Sequence, residues 1–388
     1  MSGVFVFEGW QRPDGRMGIR NHCLVLATVA CASGVVREVG RRLPAVVAVE
    51  HAHGCGRGGP DLGLQIKTLS GLVQNPNVGA AVLVGLGCEV LSVNMLKGTL
   101  GSSGKPLETV IIQDVGGTRK AADLAEALAQ RLLAELEKLP RHEGTAADLM
   151  VGLECGGSDT FSGLTANPAV GRAADRLVEL GGTVILAEIT EMIGALGPLL
   201  RSAETEEVAA RLKAKVERQE ARARETLGPL FDPGLAPGNV ESGLTTIAEK
   251  SLGCIAKGGS SPIRQVIDYG DRPTRKGLVV METPGYDIES LAGMATGGAQ
   301  AILFTTGRGT PVGFPAVPVV KISSNSELFE AMPDDIDLDA GPILAGKSAG
   351  QVGEQILDLL LRVAGGERTK AEINGQAVFG VAQAGPAF

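Results

Sequence analysis

The segment Leu149 to Gly163, LMVGLECGGSDTFSG, does most to limit what this chain can fold into. Its opening, Leu149 to Leu153, is a short apolar run of the kind that fills a strand buried on both faces of a parallel sheet. The run stops at Glu154-Cys155-Gly156-Gly157-Ser158-Asp159-Thr160. A carboxylate, a thiol, two glycines and hydroxyls make a poor structural turn but suit a reaction site. In open α/β sheets ligands sit at the carboxyl ends of strands, where glycines let backbone N–H groups approach a bound anion. A helix is expected next, with Asn167 as N-cap, Pro168 at N1 and Gly181-Gly182 as the stop after Leu180. On this segment alone, an ordinary strand-to-helix loop with a structural cysteine is an equal alternative.

Two other segments repeat the composition. Val46 to Gly59 (VVAVEHAHGCGRGG) carries His51, His53, Cys55 and Arg57 among glycines, and Ser251 to Ile263 (SLGCIAKGGSSPI) carries Cys254 and Lys257. Cysteines kept for packing more often lie inside apolar runs, so Cys55, Cys155 and Cys254 read as one composite site. Three thiolates with one open iron position is a pattern of hydro-lyases holding an open [4Fe–4S] cluster, and the spacing is unlike the clustered runs of electron carriers. Mononuclear Fe²⁺ or another divalent ion on mixed His and carboxylate ligands is the competing reading. His51 and His53, two apart at a strand end, face the same way and are candidate ligands; the alternative is backbone bonding. Cys31 and Cys88 read as core or supporting positions, and Cys23 as packing.

Along the chain, apolar runs at His22–Thr28, Val46–Val49, Val78–Leu86, Glu108–Gln113, Leu149–Leu153, Thr183–Ala187, Gly277–Met281, Ala301–Phe304 and Val317–Ile322 alternate with helical segments. This is the spacing of doubly wound sheets. The expected fold is α/β, with parallel-sheet, Rossmann-like domains and a second α/β domain at the C-terminus. Residues 1–145 are expected to form an N-terminal α/β domain and 146–235 to continue its core. The stretch Ala203–Leu227 in that part, with balanced charge, reads as a solvated helix. Residues 236–388 form the C-terminal domain, set off by the proline- and glycine-rich Gly228–Gly238.

With 388 residues, 55 glycines and 3% aromatic residues, the composition suits tight α/β loops better than a sandwich. A formal charge of −8 disfavours nucleic acid or an anionic membrane as partner. Neither a basic leader with an apolar core nor an 18-residue apolar run is seen, so the cytoplasm is the expected address. The six cysteines then read as thiols or metal ligands rather than disulfides. Nucleotide binding is disfavoured, since neither a GxxxxGK[ST] nor a GxGxxG after a strand is present. A triad drawn from Ser158, His51 and Asp159 lacks the GxSxG elbow. What does recur after strands is a mixture of Arg20, Arg57, Ser158, Asp159, Thr160, Lys257, Thr305, Thr306 and Arg308. It suits a small polyhydroxy carboxylate, with the cations on the carboxylate and the rest on hydroxyls.

The motifs GRMGIRN (15–21), HGCG (53–56), LGCE (86–89), LECGGSDTFSGLTANPAVG (153–171), EKSLGCIAKGG (249–259) and TTGRGTPVGFPAVPVVKISSN (305–325) resemble the altronate/galactarate dehydratase family, which includes the large subunit of sulfolactate sulfo-lyase. The resemblance implies a cytoplasmic, iron-dependent lyase. It would remove water, or sulfite in the sulfo-lyase, from the position β to a carboxylate, giving a 2-keto-3-deoxy acid or pyruvate. It also implies a separate small subunit, because fused members carry a small domain ahead of the GRMGIRN region, and a homo-oligomeric assembly. In such chemistry Lys257, Glu188 and Glu191 are the candidates for proton transfer. Arg20 and Arg308 are the candidates for binding the carboxylate, with Asn21, Ser158, Asp159, Thr160, Thr305 and Thr306 around the substrate. A sugar-acid-binding protein without catalysis is the alternative from another class.

Overall fold

A computed structural model describes residues 5–101, 103–228, 235 and 237–385. In chain order its strands are β1 (Val6–Gln11), β2 (Met17–Gly18), β3 (His22–Ala27), β4 (Val47–Val49), β5 (Val78–Gly85), β6 (Leu107–Ile111), β7 (His142–Thr145), β8 (Met150–Cys155), β9 (Thr183–Leu186), β10 (Ile263–Ile267), β11 (Gly277–Met281), β12 (Ala301–Thr306), β13 (Val319–Ser323) and β14 (Leu338–Asp339). Three sheets result. One is parallel, in the order β4-β3-β5-β6; a larger one is also parallel, in the order β10-β11-β9-β8-β12-β13-β14; a small antiparallel one has the order β2-β1-β7.

The central strands β8, β11 and β12 are buried on both faces, as their unbroken apolar runs require. Helix Ala166–Glu179 covers one face of the large sheet, and helix Ala349–Ala364, opened by a Ser348–Gln351 capping box, packs on it. The other face shares a core with the smaller sheet. Leu24, Leu69, Leu83, Ile185, Leu291 and Phe304 belong to one cluster, and helices Gly59–Gln74 and Asp287–Gly297 pack together between the sheets. Helices Ser33–Arg42 and Thr118–Leu136 close the outer face of the smaller sheet. Among the described residues no helix is long and apolar enough to cross a membrane.

The strand order places the site. From β8 the chain steps to β9 and β10 on one side and later to β12, β13 and β14 on the other. The order therefore reverses between β8 and β12, and a crevice opens at the carboxyl ends of such a pair. The division expected at 235/236 falls inside this sheet, because β9 pairs with β11 from Thr183–Gly277 to Leu186–Val280. Gly228–Gly238 lies mostly outside the described residues. Parallel pairing across that break is why a composition change does not mark a structural boundary here. The run at Ala203–Leu227 does form a helix, Glu206–Leu227, capped by Thr205.

Candidate active site

Cys155 ends β8, and the chain turns at once through Gly156 and Gly157. A Cβ on Gly156 would lie 2.5 Å from Asp287 Oδ2 and 2.8 Å from the Phe304 ring, and Gly157 has φ +59°. Only glycine lets the turn pass that close to Asp287 and take that backbone shape. β9 ends at Leu186, and Glu188 follows with φ 62° and ψ 65°, a left-handed conformation that costs a glutamate about 1–3 kcal/mol. Its N–H donates to Thr283 Oγ1 (2.7 Å), which fixes the carboxylate toward β8.

These two strand ends meet a helix. Cys254 lies in helix Ile247–Ile255, capped by Thr246, rather than at the end of a strand. Cys155 Sγ stands 2.7 Å from Glu191 Oε2 and 3.5 Å from Cys254 Sγ. Glu188 Oε2 accepts from Cys155 N (2.9 Å) and from Lys257 Nζ (3.0 Å). Lys257 Nζ is also 3.5 Å from Glu191 Oε2, and Lys250 Nζ is 3.0 Å from Glu191 Oε1. Cys155, Glu191 and Cys254 form one set of potential metal ligands; Glu154, Glu188 and Asp287 form a second.

The electrostatics follow from burial and neighbours. Burial first, then the Glu191 charge, pushes Glu188 up to about 7 against the pull of Lys257. Burial works to raise Glu191 too, but Lys250, Lys257 and the thiols outweigh it and hold that carboxyl at about 2. Lys257 stays an ammonium: burial opposes the charge, and Cys155, Glu188 and Glu191 more than restore it. The bond to Cys254, then burial, drives the Cys155 thiol well up. Burial and Glu188 raise Glu154, whose Oε1 is buried without a partner among the described residues, and burial and Glu191 lift Asp287 to about 6.

One stability prediction follows for the metal-free chain. Glu188 binds its proton more tightly when folded, so its contribution is fully present below the unfolded value of 4.5 and is lost as pH rises through about 7. Urea midpoints of the apo protein should therefore fall between pH 5 and 7.5 more steeply in the wild type than in Glu188→Gln. Parallel slopes in the two proteins contradict the assignment.

A cavity of about 250 Å³ opens on this centre, lined by Cys155, Ser158, Glu188, Glu191, Lys250, Asn239, Asp287 and Arg308. A second of about 320 Å³, lined by Ser158, Asp159, Thr160, Lys250 and Cys254, adjoins it. Ser158 Oγ lies 3.9 Å from Cys155 Sγ, and Arg308 reaches Ser242 Oγ (3.2 Å) and Glu241 Oε2 (3.3 Å) at the rim.

Several expected site residues are engaged elsewhere. The Asp159 carboxylate accepts from Ser162 N and Oγ, Ser324 Oγ and Asn325 Nδ2, so it shapes the loop and has little left for a ligand. Thr160 Oγ1 donates to Ser242 O, Thr305 Oγ1 to Asn167 Oδ1 (2.6 Å), and Thr306 Oγ1 accepts from Gly309 N. Asn167 is thus a tie inside the helix Ala166–Glu179 rather than its N-cap, which falls at Thr165.

Arg20 donates to Glu372, Val363 O and Glu367 O, while Asn21 takes Arg12 Nη1 and gives to Leu136 O. Both precede β3, at the amino end of a parallel strand and away from the ligand edge. His51 is buried, with Nε2 at 2.9 Å from Ala27 O and Nδ1 accepting from His53 N, so neither nitrogen is left for a metal. His53 is buried beside it. Cys55 is exposed and lines a cleft on the smaller sheet, apart from Cys155 and Cys254. The composite three-cysteine site therefore divides in two.

Sequence reasoning did not single out Lys250, Asp287 or Glu154, which stand with these groups. Lys250 sits one turn before Cys254 within EKSLGC, and that i, i+4 spacing on a helix is the signal that places it on the same face.

A buried thiol–carboxylate–lysine centre at the reversal of a parallel sheet defines an α/β protein built for chemistry on a small anionic ligand. Comparison with known proteins then identifies the lineage. Residues 146–387 match the family model described as D-galactarate/altronate dehydratase, C-terminal, and residues 9–137 match that of D-galactarate dehydratase/altronate hydrolase, second domain. The chain is 36% identical over 378 residues to altronate dehydratase of Escherichia coli K12, covering 94% of this chain and 75% of that protein. It is 37% identical over 391 residues to galactarate dehydratase (L-threo-forming) of the same organism, covering 94% and 73%. With (2R)-sulfolactate sulfo-lyase subunit beta of Chromohalobacter salexigens it shares 33% identity over 376 residues, covering 96% of each chain. The chain belongs to the galactarate/altronate dehydratase family.

Proposed function

We propose that this protein is a cytoplasmic hydro-lyase that dehydrates a sugar acid such as altronate or galactarate to a 2-keto-3-deoxy acid. The observation that carries the reading is the convergence, in one cavity of about 250 Å³, of carboxylates, a thiol and the cations Lys250 and Arg308, in a chain of this family.

The reaction breaks a C–H bond α to the carboxylate. The electron pair forms the C2–C3 double bond as the β C–O bond breaks and hydroxide leaves with a proton as water; the enol then becomes the keto acid. Arg308 and Lys250, on the cavity wall, bind the substrate carboxylate and oppose the charge that develops on it. Glu188 is the base: its carboxylate faces the cavity, while Oε2 is anchored by Cys155 N and Lys257. Lys257 does not line that cavity, so it holds Glu188 and Glu191 in place rather than touching substrate. Asp287, whose carboxylate comes within 4.8 Å of that of Glu188, is placed to return the proton to the leaving hydroxyl, and Ser158 to bind a substrate hydroxyl.

The residues fit a divalent ion at Cys155, Glu191 and Cys254. Lys250 and Lys257 already balance Glu188 and Glu191, so the two buried thiols would ionise only against a bound dication. Such an ion, iron being the one the family resemblance implies, would supply Lewis acidity to the leaving hydroxyl. An open [4Fe–4S] cluster on Cys55, Cys155 and Cys254 together does not fit, since Cys55 stands in a different cleft.

The test is to incubate the chain, reconstituted with Fe²⁺ without oxygen, with aldonates, aldarates and sulfolactate, and to measure 2-keto acid and sulfite. A 2-keto-3-deoxy acid from an aldonate or aldarate is expected. Sulfite and pyruvate from sulfolactate alone would favour the second reading, which the 96% mutual coverage with the sulfo-lyase subunit supports. Binding without turnover of any substrate would mean a sugar-acid-binding protein. The same relative's name, a subunit beta, supports a partner chain; full turnover by the purified chain removes the need for one.

A further inference from the structure

We propose that the carboxyl edge of the smaller sheet holds a second metal centre, an open [4Fe–4S] cluster ligated by Cys31, Cys55 and Cys88. The argument begins with the strand order. Cys55 follows β4, Cys31 follows β3 and Cys88 follows β5, and these are three adjacent parallel strands whose carboxyl ends lie on one edge. All three thiols are exposed, whereas Cys23, Cys155 and Cys254 are buried.

Direct bonds tie the three loops together. Ala30 N donates to His53 O (2.7 Å) and Ser33 Oγ to His51 O (3.1 Å), which clamps the residues on either side of Cys31 against the approach to Cys55. Thr28 Oγ1 reaches Glu89 Oε1 (3.4 Å), joining the end of β3 to the residue after Cys88. Thr28, Cys55, Arg57, Gln65 and Glu89 line one cleft between them.

An independent observation marks that cleft as incomplete. Gln65 is 6% exposed, and among the described residues its Nε2 is buried with no hydrogen-bond partner. An orphaned amide donor of this kind costs about 1–3 kcal/mol unless something accepts from it. A bound cluster is anionic, and hydrogen bonds to its sulfurs are among the features that set its potential. Arg57 on the same wall, whose Nη1 also donates to Gln383 Oε1 and Gly385 O, sets a positive charge against those of Glu89 and Asp61 there.

Size decides between one ion and a cluster. Adjacent strands lie about 4.8 Å apart, so loops leaving β4, β3 and β5 span roughly 10 Å. Among the described residues, the ligand sets that close to within 4.8 Å are the two at the large sheet. The wider trio suits a multi-iron cluster. The cleft beneath has room for about 20 Å³, one water's worth, which places the cluster across its mouth where the cysteines are exposed.

The test is anaerobic reconstitution of the full chain with iron and sulfide, followed by metal and acid-labile sulfide analysis, visible absorbance and electron paramagnetic resonance. About four iron and four sulfide per chain are expected beyond any mononuclear iron. Cys31→Ser, Cys55→Ser and Cys88→Ser should each abolish the sulfide and the visible band while keeping the wild-type circular dichroism; Cys155→Ser should keep both. Gln65→Leu should retain the cluster and shift its reduction potential. No sulfide bound by a folded chain, or sulfide fully retained in Cys55→Ser, overturns the proposal. So does a sulfide-free zinc ion on these cysteines. None of these readouts depends on turnover, so a failure here is distinct from a failure of the dehydratase reading.

Discussion

Lys257→Met should lose activity by roughly 10²–10³-fold, the scale set by deleting one preorganised charge at a reacting centre, and should also destabilise the fold. Lys257 is 1% exposed and bonds Glu188 Oε2 and Glu191 Oε2, each of them also deeply buried. Removing one member of a buried ion cluster leaves the others without compensation, at a cost of about 3–5 kcal/mol. Methionine fills the same volume, so a cavity does not explain the loss. Lysine at 250 still faces Glu191, which therefore stays ionised, while Glu188 is left as the uncompensated group. It should take up a proton and cease to act as a base. Measured together, turnover and the urea midpoint should both fall, and the activity lost should not return on adding substrate. A Lys257→Met protein with wild-type kcat and midpoint would mean that the lysine is incidental to the centre.

How much of this was legible beforehand depended on how far the information was local. The apolar run before Glu154 forms β8 as expected, because burial on both faces demands it of any sequence there. Thr183–Leu186 and Gly277–Met281 were equally plain, but nothing in either says that they pair with each other across the Gly228–Gly238 break. Among site residues, Cys155, Glu188, Glu191, Cys254, Lys257, Ser158 and Arg308 do converge, though from separate loops and one helix.

The misses share a cause. Arg20 and Asn21 have the right chemistry, but they stand before the run at His22 rather than after it, and the amino end of a parallel strand lies away from the ligand edge. Asp159 has a ligand's chemistry, yet its oxygens are consumed by Ser162, Ser324 and Asn325, two of them more than 160 residues distant along the chain. Cys55 was grouped with Cys155 and Cys254 on composition alone. The sheets separate them, because composition does not record which of two parallel sheets a loop belongs to.

Cys155→Ser should abolish high-affinity metal binding at the large sheet and, with it, turnover, while leaving the fold intact. Serine is close in size and can still donate to Glu191, so packing around β8 is retained. It does not ionise at neutral pH and is a hard, weak ligand where a thiolate is soft and strong. The loss of affinity should exceed the roughly 10–100-fold that follows from removing a supporting partner of a metal ligand. Cobalt(II) reports on the thiols, because thiolate ligation gives it a charge-transfer band that carboxylates do not, and a Cys55→Ser background removes the contribution of the smaller sheet. That band should weaken strongly in Cys155→Ser and Cys254→Ser. It should persist in Cys23→Ser, whose thiol is buried in the core of the smaller sheet and donates to Ala129 O at 3.9 Å. Undiminished cobalt binding by a folded Cys155→Ser protein would remove the thiols from the ligand set. The carboxylates Glu154, Glu188 and Asp287 would then be left as the place where a dication relieves three raised acids at once.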